Sequence, residues 1–332
     1  MGSFASKGGG TSFNPTTDIP HLTGKSILIT GGNSGLGRQS IIELAKHGPR
    51  EIWLAARTLG KAEAAIEEMK NHGLLPPTYR TAIRPLEMDL ASMESVARAA
   101  EVVRAQTQTQ RLDILVLNAG IMATPPGVSS DGYEIQLATN YLGHALLVNL
   151  LLPVLLPQPV APEGPQREAS PEPRTGGARI VLLSSVAHKF APRGGIDFTS
   201  LKSSAEGMST VARYAQSKLA VILYGRELAR RYPALTVVVV HPGQVRTNLG
   251  NTASASSLLM RGMWALTSAV IGVGPERGVL NQLWAATAPV GALCSGAYYE
   301  PIGRLVKGSK MVLNDGLARE LWEWTSRELA RY

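Results

Sequence analysis

Six short apolar runs recur along this chain: Ser26–Thr30, Glu51–Ala56, Ala82–Met88, Leu112–Leu117, Arg179–Leu183 and Leu235–Val240. Runs of this length and character read as strands, and Leu112–Leu117 as one buried on both faces. Between them, Ile41–Ala45, Lys61–Asn71, Ser92–Gln106, Asp131–Leu156 and Val211–Arg231 read as helices, with Ser92 as a cap. Strands alternating with helices build βαβ units, and these require a parallel sheet with helices on both faces. The expected fold class is therefore α/β, a doubly wound parallel sheet, with Ala297–Glu300 as an edge strand and Gly316–Arg331 as a final amphipathic helix.

Sheets of this kind collect ligands at the carboxyl ends of their strands. Gly31–Gly37, Arg57, Asp89, Asn118–Gly120, Ser185 and Pro242-Gly243 all fall at those ends. The first of these crowds Gly31, Gly35 and Gly37 into the turn between strand and helix. Glycines let a pyrophosphate approach the backbone, and the helix N-terminus offers free N–H groups and partial positive charge.

Tyr214 and Lys218 stand four residues apart in a helical stretch and so project from one face. An unperturbed phenol titrates near 10, too high for a base near neutrality, and a neighbouring ammonium would lower it. A serine hydroxyl at a strand end, Ser185 with Ser184 as the competing choice, can donate to a carbonyl oxygen. Together these groups can exchange a proton with a C–O group while a hydride moves at its carbon.

A formal net charge of +8 suits an anionic partner such as a phosphorylated cofactor. Aromatics make up only 5% and no basic block interleaves with them, which argues against nucleic acid. The single cysteine, Cys294, excludes an intrachain disulfide and fits the reducing cytoplasm. Six scattered histidines lack ligand spacing, so no metal is expected. No uninterrupted apolar stretch reaches the ~18 residues of a membrane span. Residues 1–22 read as a flexible leader, whose Met1-Gly2-Ser3-Phe4-Ala5-Ser6 matches an N-myristoylation pattern at Gly2. The Pro-rich stretch 158–177 reads as a disordered insertion on the side of the sheet away from the ligand end. The apolar stretch Ser254–Val273, within a segment 248–275, reads as a small helical lobe covering a hydrophobic substrate; a surface resting on lipid is the alternative. Oligomeric state is not legible.

Taken together, these motifs resemble those of the short-chain dehydrogenases/reductases over roughly residues 23–300. Thr30-Gly31-Gly32-Asn33-Ser34-Gly35-Leu36-Gly37 resembles their cofactor turn, Asn118-Ala119-Gly120 their fourth-strand motif, Tyr214…Lys218 their catalytic pair, and Pro242-Gly243-Gln244-Val245-Arg246-Thr247 their nicotinamide segment. Ile196-Asp197-Phe198 and Ser217-Lys218-Leu219-Ala220 look like the retinol-dehydrogenase and WW-domain-oxidoreductase branch, and fungal tailoring reductases of secondary metabolism are also similar.

The resemblance implies a Rossmann-type domain over 23–332. In it Tyr214 is the proton donor or acceptor, Lys218 also holds the nicotinamide ribose, Ser185 orients the substrate oxygen and Asn140 holds a proton-relay water. It also implies a cofactor site of Gly31, Asn33, Ser34, Gly35, Leu36, Gly37, Arg38, Arg57, Asp89, Leu90, Asn118, Ala119, Gly120, Tyr214, Lys218, Pro242, Gly243, Val245 and Thr247, with Asp89 at the adenine. At the end of strand two Ala56 stands where an acid would hold the ribose 2′-OH of NAD, and Arg57 follows it. With Arg38 after the last glycine, two guanidinium groups suit a 2′-phosphate, so NADP(H) is expected. The expected activity is carbonyl/alcohol interconversion on a hydrophobic small molecule. The alternatives are a catalytically silent cofactor-binding scaffold and an enoyl reductase or dehydratase on the same fold.

Overall fold

The computed structural model describes residues 10–75, 79–107, 111–157, 177–245 and 273–332. Gly2, Arg246, Thr247, residues 248–272 of the expected cover and all of the Pro-rich insertion but Gly177 lie outside them.

Eight strands form one sheet: β1 (Ser26–Thr30), β2 (Glu51–Ala56), β3 (Ala82–Glu87), β4 (Ile114–Leu117), β5 (Arg179–Leu183), β6 (Thr236–Val240), β7 (Tyr298–Glu300) and β8 (Arg304–Val306). Their spatial order is β3-β2-β1-β4-β5-β6-β7-β8. All neighbours pair in parallel except the last two. The chain thus winds outward in both directions from the β1–β4 junction, and a crevice opens at the carboxyl ends of those two strands.

Strand alternation sorts the core into two layers. Leu28 and Leu115, which are register partners, face one layer, and Ile27, Ile29, Ile114 and Val116 face the other. The first layer is covered by α4 (Met93–Gln106), α5 (Ile135–Leu155), α6 (Thr210–Arg231) and α8 (Asp315–Leu329), through residues such as Val96, Leu146, Leu219 and Leu321. The second is covered by α2 (Gly35–Ala45), α3 (Leu59–Asn71) and α7 (Leu280–Thr287), through Ile41, Ile66 and Leu283. By length and composition α5 could cross a membrane, but most of it is buried inside the fold, as the apolar helix of a double-layered core must be.

Three expectations are corrected. Residues 10–22 of the supposed flexible leader are folded: α1 (Pro15–Asp18) is capped by Asn14, Phe13, Ile19 and Leu22 are buried in the second layer, and Leu22 N–H donates to His47 O at 2.8 Å. Three apolar residues in a Gly/Ser-rich context gave no periodic signal. The helix expected from Asp131 begins at Ile135, because Gly132 takes a φ of 84° in a preceding turn and Glu134 caps the helix by accepting from Leu137 N at 2.7 Å. Tyr298–Glu300 is not the edge: β8 folds back beside it after Gly303, at a φ of 63°, and is too short to show alternation. Gly177, where the Pro-rich insertion rejoins the sheet, bonds Ala234 O just ahead of β6 at the amino end of the strands.

Candidate active site

The glycine turn is built for close approach. Gly31 and Gly35 have φ of 65° and 53°, which favours glycine. A Cβ on Gly37 would sit 2.2 Å from Gly31 O and 2.7 Å from Asn118 Nδ2, so only hydrogen fits where α2 crosses the turn. Asn118 Nδ2 donates to Thr30 O at 2.8 Å, tying β4 to β1 at the crevice. Ser34 caps α2 by backbone position but makes no side-chain cap bond, so the first N–H groups of the helix keep their capacity for an anion. Asn33 lies in the same turn. These features fit a pyrophosphate-bearing dinucleotide.

Most of the other expected cofactor positions that are described follow the carboxyl ends of strands in this sheet. Asp89, after β3, accepts from Ala91 N and donates its own N–H to Ser95 Oγ, both at 3.0 Å, which docks β3 on α4. The Leu90 carbonyl lies against Gly143, where a Cβ would approach to 2.4 Å. Gly243 has a φ of 92° after Pro242, and Val245 and Leu36 both lie against Gly278, where a Cβ would approach Val245 to 2.5 Å. Arg57 is exposed at the carboxyl end of β2. Arg38 is held in an ion pair with Glu68 at 2.6 Å. Ala56, the position discussed for an acid, is buried in the second layer.

Helix α6 carries Tyr214 and Lys218 into the site, both buried. The Ser185 side chain stands at the Tyr214 hydroxyl, close enough to favour its ionised form. Lys218 Nζ lies 5.7 Å from the centroid of the Tyr214 ring and donates to Leu183 O at 3.0 Å. Ser184 points elsewhere: its hydroxyl donates to Lys218 O at 2.7 Å and pins the helix to β5. Asn140 sits in a π-helical turn, Ala138–Leu142, of the kind often found at functional sites. Its Oδ1 accepts from Ile121 N at 2.7 Å, and its Nδ2 donates to Ile121 O at 3.0 Å and to Ser217 Oγ at 2.9 Å. A Cβ on Gly120 would lie 3.1 Å from Asn140 Oδ1 and 3.4 Å from Lys218 Nζ, so the glycine of Asn118-Ala119-Gly120 leaves room between these two groups.

Burial pushes the Tyr214 hydroxyl up to about 12, with the Ser185 hydrogen bond pulling the other way. Burial also draws Lys218 down to about 8. Burial is thus the largest influence on the phenol, and it also holds Lys218 below its ordinary value.

Several site residues gave no signal in sequence. Arg213, beside Tyr214, is buried and pairs with buried Glu134 at 3.1 Å while donating to Thr124 O at 3.0 Å and Pro125 O at 3.2 Å. This locks α6 onto the start of α5 and the loop after β4. His188 shares a 2.7 Å hydrogen bond with Ser185 O. His144 lies four residues after Asn140 and faces Thr30. The Asn140-x-x-x-His144 spacing could have been read as one helix face, and Arg213–Glu134 needs a pairing across 79 residues.

A crevice at the switch point of a doubly wound sheet, a glycine turn for a dinucleotide and a buried Tyr–Lys pair beside half-buried Ser185 together define a nicotinamide-dependent oxidoreductase of Rossmann type. The short chain dehydrogenase family model matches residues 25–196. A short-chain dehydrogenase/reductase of Aspergillus calidoustus, drtF, is 36% identical over 94% of this chain and 96% of its own length. Mouse retinol dehydrogenase 13 is 34% identical over 92% of this chain and 84% of its own length. Among solved structures, an uncharacterized protein from Mycobacterium paratuberculosis superposes with a TM-score of 0.70 at 30% identity, covering 96% of this chain and 98% of its own. An NAD(P)-dependent gluconate 5-dehydrogenase from Beutenbergia cavernae, with bound NADP, gives 0.59 at 25% identity, covering 85% of this chain and 96% of its own. The chain belongs to the short-chain dehydrogenase/reductase family.

Proposed function

We propose that this enzyme uses NADP(H) to interconvert a carbonyl and an alcohol on a hydrophobic small molecule. The observation that carries the proposal is the buried Tyr214–Lys218 pair, with Lys218 Nζ 5.7 Å from the centre of the Tyr214 ring and the Ser185 side chain at the Tyr214 hydroxyl. The nicotinamide, when bound, supplies or accepts the hydride at the substrate carbon. In reduction Tyr214 gives its hydroxyl proton to the substrate oxygen as the C=O double bond opens; in oxidation the phenolate takes that proton back. Ser185 hydrogen-bonds the same oxygen and holds it against Tyr214. Lys218 supports the phenolate and holds the nicotinamide ribose. Asn140 holds the relay water that returns the proton to solvent.

Arg57 supports a 2′-phosphate, because its exposed guanidinium stands at the carboxyl end of β2. Arg38 can join it if it exchanges Glu68 for the phosphate. The NADP in the gluconate 5-dehydrogenase neighbour agrees with this choice. The apolar Ser254–Val273 sequence supports a hydrophobic substrate, and the similarity to fungal tailoring reductases supports a secondary metabolite. The one cysteine, Cys294, supports a cytoplasmic setting.

The test follows NADPH oxidation against a panel of aliphatic, terpenoid and polyketide ketones and aldehydes, with mass identification of the product. Alcohol formation supports the proposal. Reduction of a C=C bond, loss of water, or tight NADPH binding without turnover on any member would overturn it.

A further inference from the structure

His144 is a buried histidine between the dinucleotide turn and the π turn of Asn140. The proton positions follow from counting donors. Thr30 Oγ1 accepts from Asn118 N–H and from Ala119 N–H, both at 2.9 Å. With both lone pairs used, its single proton is free to donate, and His144 Nε2 lies 2.9 Å away. Nε2 must then be the acceptor. The proton of the neutral ring sits on Nδ1, which donates to Asn140 O at 3.1 Å. Burial draws this histidine down to about 3, so the ring stays neutral. The chain of bonds runs from β4, through the Thr30 hydroxyl at the end of β1, to the carbonyl of Asn140, whose side-chain oxygen shares the space around Gly120 with Lys218.

We propose that His144 is a positioning residue, a neutral Nδ1–H imidazole that couples the dinucleotide turn at Thr30 to the Asn140 carbonyl, so that cofactor binding and the proton-handling group share one hydrogen-bonded strut. It touches neither substrate nor cofactor. Its ring takes no part in proton transfer, because the Asn140 carbonyl can accept a hydrogen bond and pass nothing on. The proposal rests on the family reaction assigned above, and it makes a claim about the free protein as well.

The first test reads the wild-type protein. Long-range ¹⁵N–¹H correlation spectra of the wild-type protein, with His144 assigned by the signal lost in His144→Gln, should show a protonated Nδ1 and a bare Nε2 from pH 6 to 8. A protonated Nε2, or an imidazolium, in that range overturns the proposal. The second test measures NADPH dissociation constants by fluorescence, together with kcat. His144→Leu, which removes both bonds, should weaken NADPH binding by about 5- to 30-fold and lower kcat as well. His144→Gln, which can both accept and donate, should recover most of each loss. Thr30→Val should weaken binding too, and the double variant Thr30→Val/His144→Leu should fall short of the product of the two single effects. A His144→Leu protein that loses thermal stability but keeps the wild-type NADPH affinity and kcat contradicts the coupling. If His144→Leu fails to fold, Thr30→Val and the tautomer decide. Failure of the wild-type protein to bind NADPH would instead count against the assigned function.

Discussion

Lys218 holds its Nζ 5.7 Å from the centre of the Tyr214 ring while spending a hydrogen bond on the Leu183 carbonyl. The pair is therefore preset by β5, one side through Leu183 and the other through Ser185. Burial draws the lysine down to about 8 and pushes the phenol up to about 12. Oxidation needs the phenolate and reduction needs the phenol. With a cofactor bound, kcat/KM for alcohol oxidation should climb from pH 6 to 9, while kcat/KM for carbonyl reduction stays level over the same range. Profiles of the opposite sense would remove Tyr214 from the proton step.

The two adjacent serines separate cleanly. Ser184 Oγ donates to Lys218 O, whereas Ser185 Oγ accepts from Ala187 N at 3.2 Å and stands at the Tyr214 hydroxyl. Ser185→Ala should lower kcat by about 10²-fold or more with little change in melting temperature. Ser184→Ala should cost about 1 kcal/mol of stability, read from urea denaturation, and leave kcat within a few-fold. The reverse pattern would exchange their roles.

The buried Arg213–Glu134 pair predicts a large loss when one partner is removed. Arg213→Met strands the Glu134 carboxylate, which also caps α5, and should cost about 3–5 kcal/mol in urea denaturation. Arg213→Met/Glu134→Leu should recover part of that. Turnover of the single variant should drop beyond the loss of folded protein, since Tyr214 follows Arg213 directly. Equal stability of Arg213→Met and wild type would show that the pair carries no weight.

Acid should destabilise the fold through its buried histidines. Burial draws His144 down to about 3 and His241 to about 4, whereas both titrate near 6.5 when unfolded. Below pH 6.5 the unfolded chain binds these protons and the native protein does not. Stability is therefore retained above 6.5 and lost as pH falls, by up to about 1.4 kcal/mol per unit for each ring. The urea midpoint should fall between pH 6.5 and 4.5, and His144→Gln should fall less steeply. Parallel slopes would mean that His144 is charged or exposed in the native state.

Cofactor choice turns on Arg57. Arg57→Ala should weaken NADPH binding by about tenfold and leave NADH affinity nearly unchanged, measured by fluorescence titration. An acid at Ala56 is a poor probe, because that position is buried in the second layer and would strand the charge. Equal losses for both cofactors would detach Arg57 from the 2′ position.

Much of this architecture was legible because parallel strands buried on both faces are continuous apolar runs. Leu28 and its neighbours in β1, or Leu115 and Val116 in β4, can hardly be read otherwise. The Tyr214–Lys218 spacing and the glycine turn were equally plain, since local geometry sets both. What stayed hidden depends on distance along the chain or on local exceptions. Arg213 finds Glu134 only after folding. The π turn at Asn140 looks like ordinary helix in sequence. Phe13, Ile19 and Leu22 pack without periodicity, and the raised phenol of Tyr214 reflects burial that no spacing reports.

The account depends most on Tyr214 as the group that moves the proton. Tyr214→Phe removes one oxygen and keeps the ring, so NADPH affinity and melting temperature serve as internal controls. With a carbonyl substrate found in the panel, kcat should fall by at least about 10²–10⁴-fold while the NADPH dissociation constant stays within a few-fold of wild type. Turnover close to wild type in a Tyr214→Phe protein that binds NADPH normally would contradict the mechanism.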